Sequence, residues 1–237
     1  MGLALRALGS ATAQVYSHVT AFLVGNLIAV ILSLPLVLLI GLLAWTVRSF
    51  SIIPIGVAFL VGVMPNPCTG GVQCVAHELA DKGPVTWHDY LGGLRRTIRP
   101  ALVLWLVSVG ISAVILGNAA FYAVALGSDG PVPHPIAFPL LAIWLVIFAV
   151  WVSAHLYVFP LLLTQEVRKI TLVYRNALLM VMARPSVTLI VVPFWLALLL
   201  LSSATGLATI IGLGLGAAIQ HNATARLLPT FRLSPAT

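Results

Sequence analysis

The chain has 237 residues, 61% of them hydrophobic and 7% charged, with a mean hydropathy of +1.12. Water-facing domains carry about 25% charged residues, so 12 Lys+Arg and 5 Asp+Glu cannot coat a soluble globule of 25.1 kDa. A soluble enzyme, a nucleic-acid binder and a disordered chain are excluded. The net charge of +7 sits in short clusters between long apolar runs, the pattern of topology-setting loop charges. The fold class this composition predicts is all-α: one integral membrane domain over residues 1–237, a polytopic transmembrane helix bundle.

In chain order, uncharged runs extend over Val19 to Val47, Ile52 to Ala76, Ala101 to Leu126 and Ile136 to Leu163. Each is long enough for a helix crossing about 30 Å of hydrocarbon. From Pro185 to Ala225 no charge occurs, and one helix of that length would reach roughly 60 Å, twice the membrane. The cluster Ser202-Ser203-Ala204-Thr205-Gly206 is the natural break, giving spans Ser186 to Leu201 and Leu207 to Ile219. Six spans are expected, with five as the alternative.

Six spans put Arg6, Lys82, Arg95, Arg96, Arg99, Arg168, Lys169, Arg175, Arg184, Arg226 and Arg232 on one side and Arg48 alone on the other. That asymmetry predicts cytoplasmic N- and C-termini; five spans would weaken it to nine against three. The first apolar run is longer than a signal-peptide h-region and no A-x-A-like site follows it, so it reads as a retained anchor. Cys68 and Cys74 lie in an apolar run at a spacing that fits neither a redox nor a zinc motif.

The two larger cytoplasmic loops read as amphipathic interfacial elbows. Trp87, Tyr90, Leu91, Leu94 and Ile98 form one helical stripe, with Arg95, Arg96 and Arg99 on the other face for anionic headgroups. Thr86 with Asp89 resembles a capping box. In the second elbow, Val167 to Ala183, the stripe is Ile170, Tyr174, Ala177, Leu178 and Val181, with Arg168, Lys169 and Arg175 off it. Membrane lipids or a partner protein are the docking partners these basic faces suit. Each elbow ends in Arg-Pro (Arg99-Pro100, Arg184-Pro185), where proline can begin the next span. With the N-terminal stretch as a third elbow, three tandem units follow: 1–81, 82–164 and 165–237. A competing register aligns Asn26-x8-Pro35 with Asn176-x8-Pro185.

The segment Met64-Pro65-Asn66-Pro67-Cys68-Thr69-Gly70-Gly71-Val72-Gln73 cannot form an undisturbed helix. Freed backbone groups at membrane depth must be buried in protein or face water, and broken helices near the midplane are where many transporters bind substrate. Asn66, Pro67, Thr69, Gly70, Gly71 and Gln73 are therefore candidate ligand-binding residues, the glycines admitting either a ligand or a neighbouring helix. His155, the one titratable side chain deep within a span, joins them, although no buried carboxylate completes a proton relay. His77-Glu78-Leu79-Ala80-Asp81 is a near miss to H-E-x-x-H and reads first as a polar helix end, a metal site being the lesser alternative. No nucleophile elbow, Walker motif or catalytic dyad occurs, so no catalytic residue, metal or cofactor is expected, and no enzymatic activity.

Asn26-Leu27 leading to Ser33-Leu34-Pro35, the Pro67-Cys68-Thr69-Gly70-Gly71 break, Trp87-His88-Asp89-Tyr90, Phe159-Pro160-Leu161-Leu162 and Asn176-Ala177-Leu178-Leu179 before Arg184-Pro185 follow one another in order. Together they resemble the YesL-type family of bacterial integral membrane proteins, over about Val19 to Leu228. Threonine and alanines would be expected where Cys68-Thr69-Gly70-Gly71 stands. The resemblance implies a bacterial inner-membrane location and association with ABC-type sugar uptake systems. Sugar ABC transporter permease subunits are then possible partners, in an accessory or permease-like role in carbohydrate transport. The alternative is a non-transporting membrane scaffold or sensor acting through its basic elbows.

Overall fold

The computed structural model describes residues 2–46, 58–82, 84–127, 132–165, 169–205 and 209–231. Every regular element among them is helical. In order these are α1 (Gly2–Ser17), α2 (Val19–Thr46), a π-helical turn (Ala58–Val63), a 3-10 turn (Pro67–Thr69), α3 (Gly70–Lys82), α4 (Trp87–Ala125), α5 (His134–Thr164), α6 (Ile170–Ala183), α7 (Pro185–Thr205) and α8 (Thr209–Phe231). Among the described residues, four helices are long and apolar enough to cross a membrane: α2 over Val19–Leu42, α4, α5 and α7.

One expected break is present and two expected boundaries are corrected. The second span, whose first residues lie outside the described ones, is interrupted: the π-helical turn ends at Val63 and α-helix resumes only at Gly70. The first elbow and the third span form one helix, α4, that continues through Pro100. Its buried stripe Tyr90, Gly93, Thr97, Ala101 and Leu104 crosses the proline without losing phase, so breaking there would lift half the stripe from its partners. Across Arg184-Pro185 no such stripe exists, because Arg184, Pro185 and Ser186 are all exposed. There the chain turns out of the helical region at Arg184 (φ −137°, ψ 63°), and α7 starts at the proline. Finally, α8 runs on to Phe231 rather than stopping near Ile219.

The buried stripe of α4 also corrects the amphipathic reading. Trp87, Leu91 and Ile98 are exposed, whereas small and polar Gly93 and Thr97 pack inward with Tyr90. Between membrane helices backbone approach counts for more than apolarity, since lipid is as apolar as leucine. Asp89 does accept the Thr86 amide at 2.7 Å, closing the first turn of α4.

One neighbour relation recurs three times. The opening turns of α4 lie on α3, α6 lies on α5, and α1 lies on α8 through Ala4, Ala7, Ala11 and Val15. Inside this ring α3, the second half of α5 and α8 pack on one another. The division is sharp within α5: Trp151 to Leu162 is buried almost throughout, while Phe138, Leu145 and Val146 face outward. On α8, Gly214 and Gly216 admit Phe22 of α2 and Trp195 of α7.

Candidate functional site

The break in the second span satisfies its own backbone. Buried Asn66 caps the 3-10 turn, its Oδ1 accepting the Cys68 amide at 2.8 Å. Its carbonyl accepts the Thr69 amide (3.1 Å) and the Thr69 hydroxyl (2.9 Å). Pro67 opens the turn, where its missing N–H costs nothing. The Cys68 carbonyl accepts from the Tyr90 hydroxyl of α4 at 3.0 Å. Both glycines face helices: a Cβ on Gly70 would stand 2.6 Å from Thr97 Oγ1, and one on Gly71 2.5 Å from the Tyr90 ring. In the structure, then, Gly70 and Gly71 admit α4 into the break.

Gln73, one turn further on, leaves the break for the interior. Its amide donates to Gln220 of α8, and Gln220 Nε2 donates to the His155 carbonyl of α5 at 3.2 Å. One amide pair thus ties the three inner helices. His155 Nδ1 donates to the Trp151 carbonyl (2.8 Å), which leaves Nε2 to accept the Ser108 hydroxyl (3.0 Å). Ser108 also touches the Tyr174 hydroxyl, which donates to the Leu104 carbonyl at 3.0 Å. Trp151 stacks on Tyr174 and donates to Ser112 Oγ at 2.9 Å. His155 is therefore engaged at both nitrogens in a network joining α4, α5 and α6.

Beyond the Gln73–Gln220 pair, where α3, α5 and α8 near their C-terminal ends, lies a cavity of about 650 Å³. That falls in the range of about 300–1,000 Å³ typical of small-molecule sites. Its wall is His77 and Ala80 of α3, Pro160, Leu163 and Thr164 of α5, and His221, Thr224, Ala225, Leu228 and Pro229 of α8. The His77 and His221 rings face each other with centroids 5.3 Å apart. Thr164 and Thr224 donate to carbonyls of their own helices, Pro160 O at 3.0 Å and Gln220 O at 2.8 Å. A second void of about 10 Å³, room for roughly one water, lies among Thr69, Gln73, Gln220 and Trp195.

Of the expected site residues, Thr69 and Gln73 border this small void; Asn66, Pro67, Gly70 and Gly71 build the break, and His155 belongs to the network. Of the cavity wall, the sequence singles out only His77 for chemistry, within the near miss to H-E-x-x-H. The wall's other sequence signal is the polar run Gln220-His221-Asn222 with Thr224, placed opposite Gln73 and His77 only by the packing of α8 on α3.

On the elbows, Trp87, Arg95, Arg99, Lys169 and Arg175 are exposed, and Arg168 lies outside the described residues. Arg96 is exposed as well, and it also forms an ion pair with Glu78 of α3 at 2.8 Å. Glu78 thereby serves an ion pair and is withdrawn from the H-E-x-x-H-like role. No protein-family model matches the chain, and no curated protein or solved structure matches it.

Proposed function

We propose that this chain is a six-span bacterial inner-membrane protein with cytoplasmic termini, a permease-like or accessory component of solute uptake, carbohydrate by its resemblance to the YesL-type family. Its solute site is the cavity between α3, α5 and α8. The observation carrying the reading is that this cavity adjoins a span broken at Asn66–Thr69, separated from it by one amide pair, Gln73–Gln220. Broken spans beside a cavity are how transporters combine a solute site with irregular backbone. The threefold recurrence of elbow on inner helix supports three tandem units surrounding that cavity.

Ala80 and Ala225 offer the test, because both line the cavity yet are exposed, so enlarging them fills it without disturbing the core. Ala80→Trp or Ala225→Trp is expected to insert normally and to abolish growth on the carbohydrate whose use a deletion strain loses. Normal growth of both variants refutes the solute site, and a deletion strain that loses no carbohydrate refutes the substrate class. Exposure of Arg95, Arg99, Lys169 and Arg175 on the elbows favours a second reading, a scaffold docking lipids or sugar ABC permease subunits. In that case neutralising these residues impairs growth and filling the cavity does not.

A further inference from the structure

We propose that His77 and His221 together bind a first-row transition-metal dication, Zn²⁺ being the representative, in the wall of this cavity. The inference rests on the cavity being a ligand site, and it adds the chemistry of one ligand. The two imidazoles come from different helices, α3 and α8, with ring centroids 5.3 Å apart and planes tilted by 33°. A tetrahedral zinc, with Zn–N of about 2.0–2.1 Å, holds two imidazole centroids roughly 5 Å apart. The observed spacing matches that of two rings sharing one ion.

The surroundings of His221 point the same way. The ring is 4% exposed, and it hydrogen-bonds to the Gln73 backbone carbonyl. Its Nε2 is buried with no hydrogen-bond partner. The bond to Gln73 therefore runs from Nδ1–H, leaving Nε2 as a bare lone pair. A ligating histidine is characteristically oriented by such a bond from its other nitrogen to a backbone carbonyl. An unpartnered buried imidazole nitrogen otherwise carries a desolvation cost of about 1–3 kcal/mol.

The remaining wall is suited to a cation. Thr164 and Thr224, both in the wall, spend their hydroxyl protons on carbonyls of their own helices, so each oxygen is left as an acceptor. The C-terminal ends of α3 and α5 converge there with the last turns of α8, and helix C-termini favour positive charge. Among the described residues no three His, Cys, Asp or Glu side chains come together. Two protein nitrogens, one fewer than the three protein ligands of an open zinc site, leave the other coordination positions to water or the solute in the cavity.

The test uses the full-length protein in mild detergent, carrying a non-histidine tag and stripped with chelator. Equilibrium dialysis measures retained Zn²⁺, and the visible spectrum with Co²⁺ reports geometry. One equivalent of zinc and a tetrahedral cobalt spectrum are expected, with His77→Ala and His221→Gln each weakening zinc at least ten-fold. His77 is only half-buried, so its variant tests the site without testing the fold. Zinc absent from the wild type, or held unchanged by either variant, overturns the proposal. Growth of the cavity-filling variants separates the two readings: zinc bound by the wild type while Ala80→Trp and Ala225→Trp grow normally leaves the metal site standing and removes the solute site.

Discussion

Gly71→Ala isolates what the glycines of the broken span are for. An added Cβ would stand 2.5, 2.6 and 2.8 Å from three atoms of the Tyr90 ring. Tyr90 has little freedom to yield: it is fully buried and its hydroxyl is held by the Cys68 carbonyl. Overpacking a core costs about 1–3 kcal/mol, and so close an approach to a buried, hydrogen-bonded ring belongs at the upper end, about 3 kcal/mol. For a chain of this size that lowers Tm by roughly 6–12 °C, measured by thermal unfolding in detergent. Tyr90→Leu in the same chain should recover part of the loss, because the two changes share one contact. A Gly71→Ala protein as stable as the wild type, or a double variant less stable than the sum of the singles, would refute the packing argument and return Gly71 to a ligand-facing role.

Two further outcomes follow from the polar contacts. Tyr90→Phe should cost about 1–3 kcal/mol of stability, since it leaves the Cys68 carbonyl without its donor; equal Tm values would mean another group satisfies that carbonyl. Gln73→Leu and Gln220→Leu, combined in a double-mutant cycle, should give a coupling of about 0.6–1.7 kcal/mol, the range for interhelical hydrogen bonds in bilayers. Zero coupling would remove this amide pair from the account of how α3 is held to α8.

Much of the frame was legible because apolar runs between charges have few alternatives. Val19 to Val47 became α2, and Ile136 to Leu163 became α5, within two residues at each end. The break at Asn66–Gln73 was legible for a similar reason, as two prolines and two glycines exclude a regular helix. What the sequence concealed depends on partners. Pro100 and Pro185 follow arginine alike, yet only the second ends a helix, because the stripe from Tyr90 to Leu104 finds a continuous surface to pack on. The elbow's large apolar residues looked like its buried face, but Gly93 takes that place by admitting Cys74, whose Cβ lies 2.4 Å from where a Gly93 side chain would begin. Gln220, His221 and Thr224 gave no periodic signal of a site, since their counterparts His77 and Thr164 are distant in sequence and meet them only through α8.

The central position of α8 also sets the order in which the molecule can be completed. This helix packs on α1, α2, α3, α5 and α7, all of them synthesised before it. While it is still in the ribosome, the Gln73 amide has no acceptor on α8, the alanine face of α1 has no surface to cover, and Phe22 lacks the notch at Gly214. Until then the earlier helices lack the surface that α8 supplies. A chain stopped before Thr209 leaves the Gln73 amide at the centre of the bundle without its acceptor. One segment, residues 209–231, thus completes the contacts of five earlier helices at once, and their packing depends on its arrival.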